Sequence, residues 1–238
     1  MKVNMVMLVK DRERLTQQAI GSLYDTTDNL LFNLTVVDDG SKQSPMEFIP
    51  EVHADNCTTL RIEDSKGITG QARNLGVYWA EKYWGRGDYL YLTDNDMYFT
   101  PGWLEKLLEA WEKVEKYGVA VLGAWNHPYL KPTEVQPPLY SDLVSLHDAV
   151  TGASQLMQWK TWDENGPLDA HAAGVGQSED WKFCRDAHDK NGWLGSIQPH
   201  VVLNCGLTNS LGAQSPGATE MLAELEKSKI TYPNLMWE

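Results

Sequence analysis

Apolar positions along this chain keep two rhythms, and they alternate. Val3 to Val9 is a short apolar run of strand length, and after it Leu15, Ala19, Ile20 and Leu23 recur at helical spacing, with Asp11 placed to cap that helix. Leu34 to Val37 is a second short run, closed by Asp38-Asp39-Gly40-Ser41, residues that favour a turn. Leu60 to Ile62 is a weaker strand candidate. Thr69 can then cap a helix with Ala72, Leu75, Trp79, Ala80 and Tyr83 on one face and Gly85-Arg86-Gly87 at its end. Tyr89 to Thr93 reads as a buried strand, and Thr100 with Pro101 is a plausible start for a helix whose core stripe is Leu104, Leu107, Leu108, Trp111 and Val114. Val119 to Gly123 is a further strand.

This alternation predicts an α/β fold, a mainly parallel twisted sheet with helices on both sides, which binds ligands at the carboxyl ends of its strands. The second half is less regular. Pro128, Pro132, Pro137 and Pro138 break the stretch from Trp125 to Asp148 into a loop or excursion. A strand is expected over 150–159, and a helix over Trp181, Phe183, Cys184 and Ala187, capped by Ser178 and ending at Asn191-Gly192. His200 to Leu203 is strand-like, and Met221, Leu222 and Leu225 give a closing amphipathic helix. The expected organisation is one domain over 1–238: a nucleotide-binding half at 1–123, an acceptor and catalytic half at 124–215 and a helical tail at 216–238.

The Tyr89 strand leads into Asp94 and Asp96, two carboxylates one residue apart, which in extended chain leave the same face. A strand that ends in two hard oxygen ligands and hands over to a helix can hold a divalent cation at the sheet rim, although an Asx turn uses the same residues. An EF-hand is a poor fit, because Tyr98 and Phe99 stand where that loop needs a ligand and a glycine.

Composition narrows the partners. The net charge of −13 argues against a broad nucleic-acid surface, and from Val119 onward seven Lys or Arg face fourteen Asp or Glu, which disfavours a polyanionic acceptor. Three scattered cysteines, Cys57, Cys184 and Cys205, make neither a disulfide framework nor a zinc knuckle. No apolar run approaches the ~18 residues of a membrane span, and the first apolar stretch is short for a signal-peptide core. A cytoplasmic location is expected.

Five blocks in order carry a resemblance: Val36-Val37-Asp38-Asp39-Gly40-Ser41, Gly70-Gln71-Ala72-Arg73-Asn74-Leu75-Gly76, Thr93-Asp94-Asn95-Asp96, Gly152-Ala153-Ser154 and Ser178-Glu179-Asp180-Trp181. Together they resemble the family 2 glycosyltransferases of GT-A fold, over roughly residues 3 to 206. The resemblance implies a metal-dependent, inverting transfer of one sugar from a nucleotide sugar, a UDP-sugar above all, to a hydroxyl acceptor such as a saccharide, with Mn²⁺ or Mg²⁺ as cofactor. Val9, Arg12, Asp39, Gly70, Arg73, Asp94, Asn95 and Asp96 would then line the nucleotide-sugar site. Asp94 and Asp96 would be the metal-binding D-x-D pair, Asp180 the catalytic base and Glu179 its support. As structural alternatives, Asp38 and Asp39 are turn formers, Arg73 a solvated helix residue, and Glu179 and Asp180 ordinary first-turn acids.

Two departures from the family pattern stand out. The first strand ends in Val9-Lys10-Asp11-Arg12 in place of a Thr-x-Asn-Arg segment, so only Arg12 carries over there. Cys205 stands where a histidine metal ligand is common, and His200 follows Pro199 directly. A thiolate suits manganese better than magnesium, and Cys205 is otherwise a small buried hydrophobe. Membrane helices and the signature of processive synthases are absent, which favours a single transfer. Trp125, Tyr129, Trp159, Trp162, Trp181 and Trp193 crowd the second half and serve a core or a sugar face equally well. Transfer to hydroxymethylated bases of viral DNA and a non-catalytic nucleotide-sugar-binding module are the alternative functions. A nucleotidyltransferase lacks its glycine-rich phosphate loop at Lys10-Asp11-Arg12-Glu13.

Overall fold

A computed structural model describes residues 1–47, 49, 55–125, 143–170, 179–198 and 200–205. Strand β1 (Val3–Val9) leads to helix α1 (Glu13–Thr26), β2 (Phe32–Asp38) to β3 (Cys57–Arg61), and helix α2 (Thr69–Trp84) returns the chain to β4 (Tyr89–Asp94). These four strands form one parallel block in the order β3-β2-β1-β4. Beyond β4 the same sheet continues with β8 (Ser154–Gln158), β6 (Val119–Gly123), β9 (Trp193–Ile197) and β7 (Val144–His147), giving eight strands among the described residues. In this second block only β6 and β9 are parallel, whereas β8 runs against both β4 and β6, and β7 against β9.

Both faces of the sheet are covered. Strand β1 is buried at almost every position: Met5, Met7 and Val9 face Ala19, Ile20 and Leu23 of α1 and the stripe of α3 (Trp103–Val114), while Val6 faces Ala72, Val77 and Ala80 of α2. Helices α4 (Trp159–Asn165) and α5 (Glu179–Asn191) share that second face through Trp159, Phe183, Cys184 and Ala187. A near-continuous apolar strand is what a parallel sheet buried on both sides demands.

The α2 stripe differs from the predicted one. Leu75 and Tyr83 are exposed, and the buried residues are Gly70, Ala72, Arg73, Gly76, Val77 and Ala80. The reason is Gly76: a Cβ there would overlap Val6 and Val37, so the glycine seats the helix directly on β1 and β2 and turns the larger side chains outward.

Helix starts also differ. Thr69 is the first helical residue, after Ile68, and caps nothing with its side chain. Thr100 donates its hydroxyl to Val201 O at 2.6 Å, and α3 begins two residues beyond Pro101, at Trp103 after Gly102. Asp11 is not a cap either: its Oδ1 accepts from Lys42 N at 2.9 Å, and Arg12 is the residue before the helix.

Short elements escaped the pattern. The strand expected over 150–159 is only β8, since Trp159 already begins α4; β10 is Val202–Asn204, and β3 starts earlier than the weak Leu60 candidate. Strand β5 (Met97–Phe99) lies between the acids and α3 and pairs antiparallel with β10. Strand β7 falls within the stretch read as loop. The Ser178 cap, Tyr129, the prolines of 128–138 and the helix expected over 219–229 lie outside the described residues. No helix among the described residues is long and apolar enough to cross a membrane.

Candidate active site at the carboxyl ends of the parallel strands

Three parallel strands deliver their last residues to one rim. At the end of β1, Val9 O accepts from Asp39 N at 2.8 Å, which ties the β1 and β2 ends together. Asp38 stays structural: it ion-pairs with Arg61 and its Oδ1 accepts from Ser41 N at 2.8 Å. Asp39 is buried and accepts from Ser65 Oγ at 2.6 Å and Lys10 Nζ at 3.3 Å. Beside it Ile62, Asp64, Lys66, Ile68, Gln71 and Ala72 complete a hollow of about 60 Å³. Sequence reasoning missed Lys10 and Ser65, whose part in the site arises only from the approach of residues 62–68 to the β1 and β2 ends.

At the end of β4 the two acids part company. Asp94 closes the strand, whereas Asn95 and Asp96 form the turn into β5, so the pair does not leave one strand face as expected. Asp94 Oδ1 accepts from Arg73 Nη2 at 2.6 Å, on the α2 side. Asp96 Oδ2 accepts from Arg12 Nη1 at 2.8 Å, on the α1 side, and its Oδ1 from Asn204 Nδ2 at 3.3 Å. Asn95 points inward and donates to Thr16 Oγ1 at 2.7 Å and Asp11 O at 3.1 Å, so its role is to brace the turn. Burial and the charge of Asp94 push the Asp96 carboxyl up to about 6, with Arg12 pulling the other way.

Arg73 is the centre of the second cluster. Its guanidinium is buried, so it is not the solvated helix residue of the structural alternative. It donates to Asp94 and, through Nη1 at 3.2 Å, to Glu179 Oε1. Burial opposes its charge, and the carboxylates of Asp94, Glu179 and Asp180 more than offset that, so it stays protonated. Glu179 is raised by burial and lowered by Arg73. Asp180, next on α5, accepts from Gly152 N at 2.9 Å and Trp181 N at 2.8 Å. Two glycines make room: a Cβ on Gly152 would overlap the Arg73 guanidinium, and one on Gly70 would come within 2.9 Å of Asp169 O and 3.2 Å of Glu179 Cβ.

Cys205 is fully buried beside this rim. Its Sγ accepts from Gln18 Nε2 at 3.3 Å and its N donates to Asp96 O at 2.7 Å. Burial and the Asp96 charge push the thiol up to about 12. Among the described residues no three His, Cys, Asp or Glu converge to hold a metal, so Asp94, Asp96 and Cys205 are not brought together as a cage. His200 is partly buried, and burial with neighbouring His147 lowers it to about 4. Of the tryptophans, Trp125 and Trp159 are core, while Trp181 and Trp193 are open to solvent.

The sequence profile described as glycosyl transferase family 2 matches residues 5–137, and the chain belongs to that family. The fold is that of GT-A glycosyltransferases. The structure is similar to S. aureus TarS in complex with UDP-GlcNAc, at 16% identity and TM-score 0.63, over 85% of this chain and 57% of that one. It is similar to GalNAc-T7 with UDP, GalNAc and Mn²⁺ at 14% identity and TM-score 0.66, over 94% and 48%. It is also similar to the mannosyltransferase PcManGT from Pyrobaculum calidifontis in complex with GDP-Man and Mn²⁺, at 13% identity and TM-score 0.59, over 83% and 54%. The chain therefore spans about half the length of these structures. A comparison with curated proteins finds no match.

Proposed function

We propose that the chain is a metal-dependent, inverting glycosyltransferase that moves one sugar from a UDP-sugar to a hydroxyl acceptor, a saccharide or other small molecule. The observation that carries this reading is the convergence at one rim of four groups far apart in sequence: Asp39, the Asp94 and Asp96 pair, Arg73, and Glu179 with Asp180. Three similar structures, in complexes with UDP-GlcNAc, UDP and GDP-Man, lend it weight.

The donor set fits a hard divalent cation, manganese or magnesium. Asp94 and Asp96 offer carboxylate oxygens, the hard donors that such ions take. Cys205, a protonated thiol held by Gln18, adds little, so phosphate oxygens and water would complete the set. A cation bound there would neutralise the charge that builds on the diphosphate as it leaves.

The chain's own residues supply the rest. Asp39, at the hollow beside β2, would take the base, and Arg73 keeps Asp94 and Glu179 in fixed positions. Asp180 would accept the proton of the acceptor hydroxyl as its oxygen attacks the sugar from the face opposite the diphosphate. The two backbone N–H groups that hold the Asp180 carboxylate set its direction. Three free thiols are in keeping with a reducing, cytoplasmic setting.

The test is release of UDP from a panel of UDP-sugars with manganese, magnesium or excess chelator. Release should need the cation, and Asp96→Asn should abolish cation-dependent UDP binding while the protein still melts cooperatively. Full turnover in chelator, or unchanged UDP affinity in the variant, would overturn the metal assignment.

A further inference from the structure

Both arginines at the rim hold an acid of the Asp94 and Asp96 pair, but in different ways. Arg73 is buried, with its side chain 4% exposed, and is tied to two carboxylates, Asp94 and Glu179. Letting go would cost a buried guanidinium both of these partners at once. Arg12 is 34% exposed on its side chain and, among the described residues, makes one ion pair, to Asp96 Oδ2. It is the arginine that can leave.

Its backbone shows how it comes to be there. Asp11 and Arg12 both adopt left-handed conformations, with φ of 54° and 55°, which side-chain-bearing residues rarely take. The turn is held by Asp11 N on Ser41 Oγ at 2.8 Å, Lys42 N on Asp11 Oδ1 at 2.9 Å and Asn95 Nδ2 on Asp11 O at 3.1 Å. A strained turn anchored on three sides thus presents a guanidinium to Asp96.

Each oxygen of the carboxylate it meets already has one donor, Arg12 on Oδ2 and Asn204 on Oδ1. A cation on Asp96 would lie against the Arg12 guanidinium 2.8 Å from Oδ2, and the two like charges compete for the one carboxylate. Next to it, Val9, Asp11, Glu13, Lys42 and Gln43 border a cleft of about 200 Å³, where a released guanidinium has space and Lys42 supplies a second positive charge.

We propose that Arg12 is a resident counter-cation for Asp96, which a divalent ion must displace, and that the freed guanidinium then turns to the nucleoside diphosphate. The inference rests on the reading of Asp96 as a metal ligand. It makes cation and nucleotide binding mutually reinforcing beyond their direct contact, because the diphosphate gives Arg12 a new partner.

Manganese affinity, measured by electron paramagnetic resonance with and without UDP, tests this in the parent, Arg12→Met and Arg12→Lys. A hydrogen bond to a charged group is worth roughly a factor of ten or more, so Arg12→Met should bind manganese alone about ten-fold tighter. UDP should enhance manganese binding less in that variant than in the parent. Arg12→Lys, which makes a weaker single contact, should fall between them and serves if the methionine variant does not fold. A merely structural role for Arg12 would weaken manganese binding in both variants. Equal or weaker binding in the folded variants overturns the proposal alone, and an unchanged UDP enhancement overturns its second half. Manganese binding to none of the three overturns it together with the metal reading.

Discussion

The two blocks of the sheet reach the same rim by different means. In β3-β2-β1-β4, chain order and parallel pairing bring the strand ends together, so Val9, Asp39 and Asp94 are aligned by backbone hydrogen bonds such as Asp39 N to Val9 O. In β8-β6-β9-β7, neighbouring strands are far apart in sequence and mostly antiparallel, and no strand end supplies Glu179 or Asp180. Those acids are held by contacts across the molecule, Glu179 on Arg73 of α2 and Asp180 on Gly152 N just before β8. One side of the site is built by regular structure. The other depends on a few long-range bonds, and the two meet at Arg73.

If the first block binds the donor and the second carries the chemistry, rate and affinity should separate. Asp180→Asn should lower transfer by ~10²- to 10⁴-fold, the usual cost of a lost general base, while UDP affinity by calorimetry with metal stays within a few fold of the parent. Glu179→Gln should cost clearly less. A fall in donor binding that matches the fall in rate would return Asp180 to a structural role.

Next in size is a pair of glycine substitutions. Gly76→Ala crowds Val6 and Val37 in the core of the parallel block and should cost about 1–3 kcal/mol of stability, with the rate per folded molecule kept. Gly152→Ala crowds Arg73 and should cost rate as well, by roughly ten-fold, because both acid contacts move with the guanidinium. Thermal melts and turnover measured on the same samples compare them. Equal specific activity in the two variants would mean that the long-range bonds are not needed.

The smallest effect is on pH. His200, beside His147, is lowered to about 4 by burial, so between about 6.5 and 4 the unfolded chain binds the proton that the folded chain refuses. Stability contributed by the neutral imidazole is present above that window and is lost as pH falls through it, by up to about 2 kcal/mol at pH 5. His200→Gln should flatten the fall measured by urea titration from pH 7 to 5, and an unchanged slope would clear His200.

Periodicity alone carried the parallel half. The β1 run, the α1 stripe at Leu15, Ala19, Ile20 and Leu23, and the α3 stripe from Leu104 to Val114 are all buried as their spacing requires, because burial of a repeating face is a local property of sequence. The order of the five blocks likewise singled out Asp39, Arg73, Asp94, Asp96, Glu179 and Asp180 as candidates, and the structure brings them to one rim. What only the tertiary structure decided is which group faces which. Nothing near Arg73 in sequence announces Glu179, 106 residues away, and nothing near Asp96 announces Asn204, 108 residues away on a three-residue strand. Leu75 and Tyr83 look like core and are exposed because Gly76 sets the approach of α2 to the sheet. Short strands such as β5 and β7 hold too few residues to show a period, and they exist because a partner strand satisfies their backbone groups. Sequence determines the elements long enough to repeat, while contacts between distant residues determine the site they enclose.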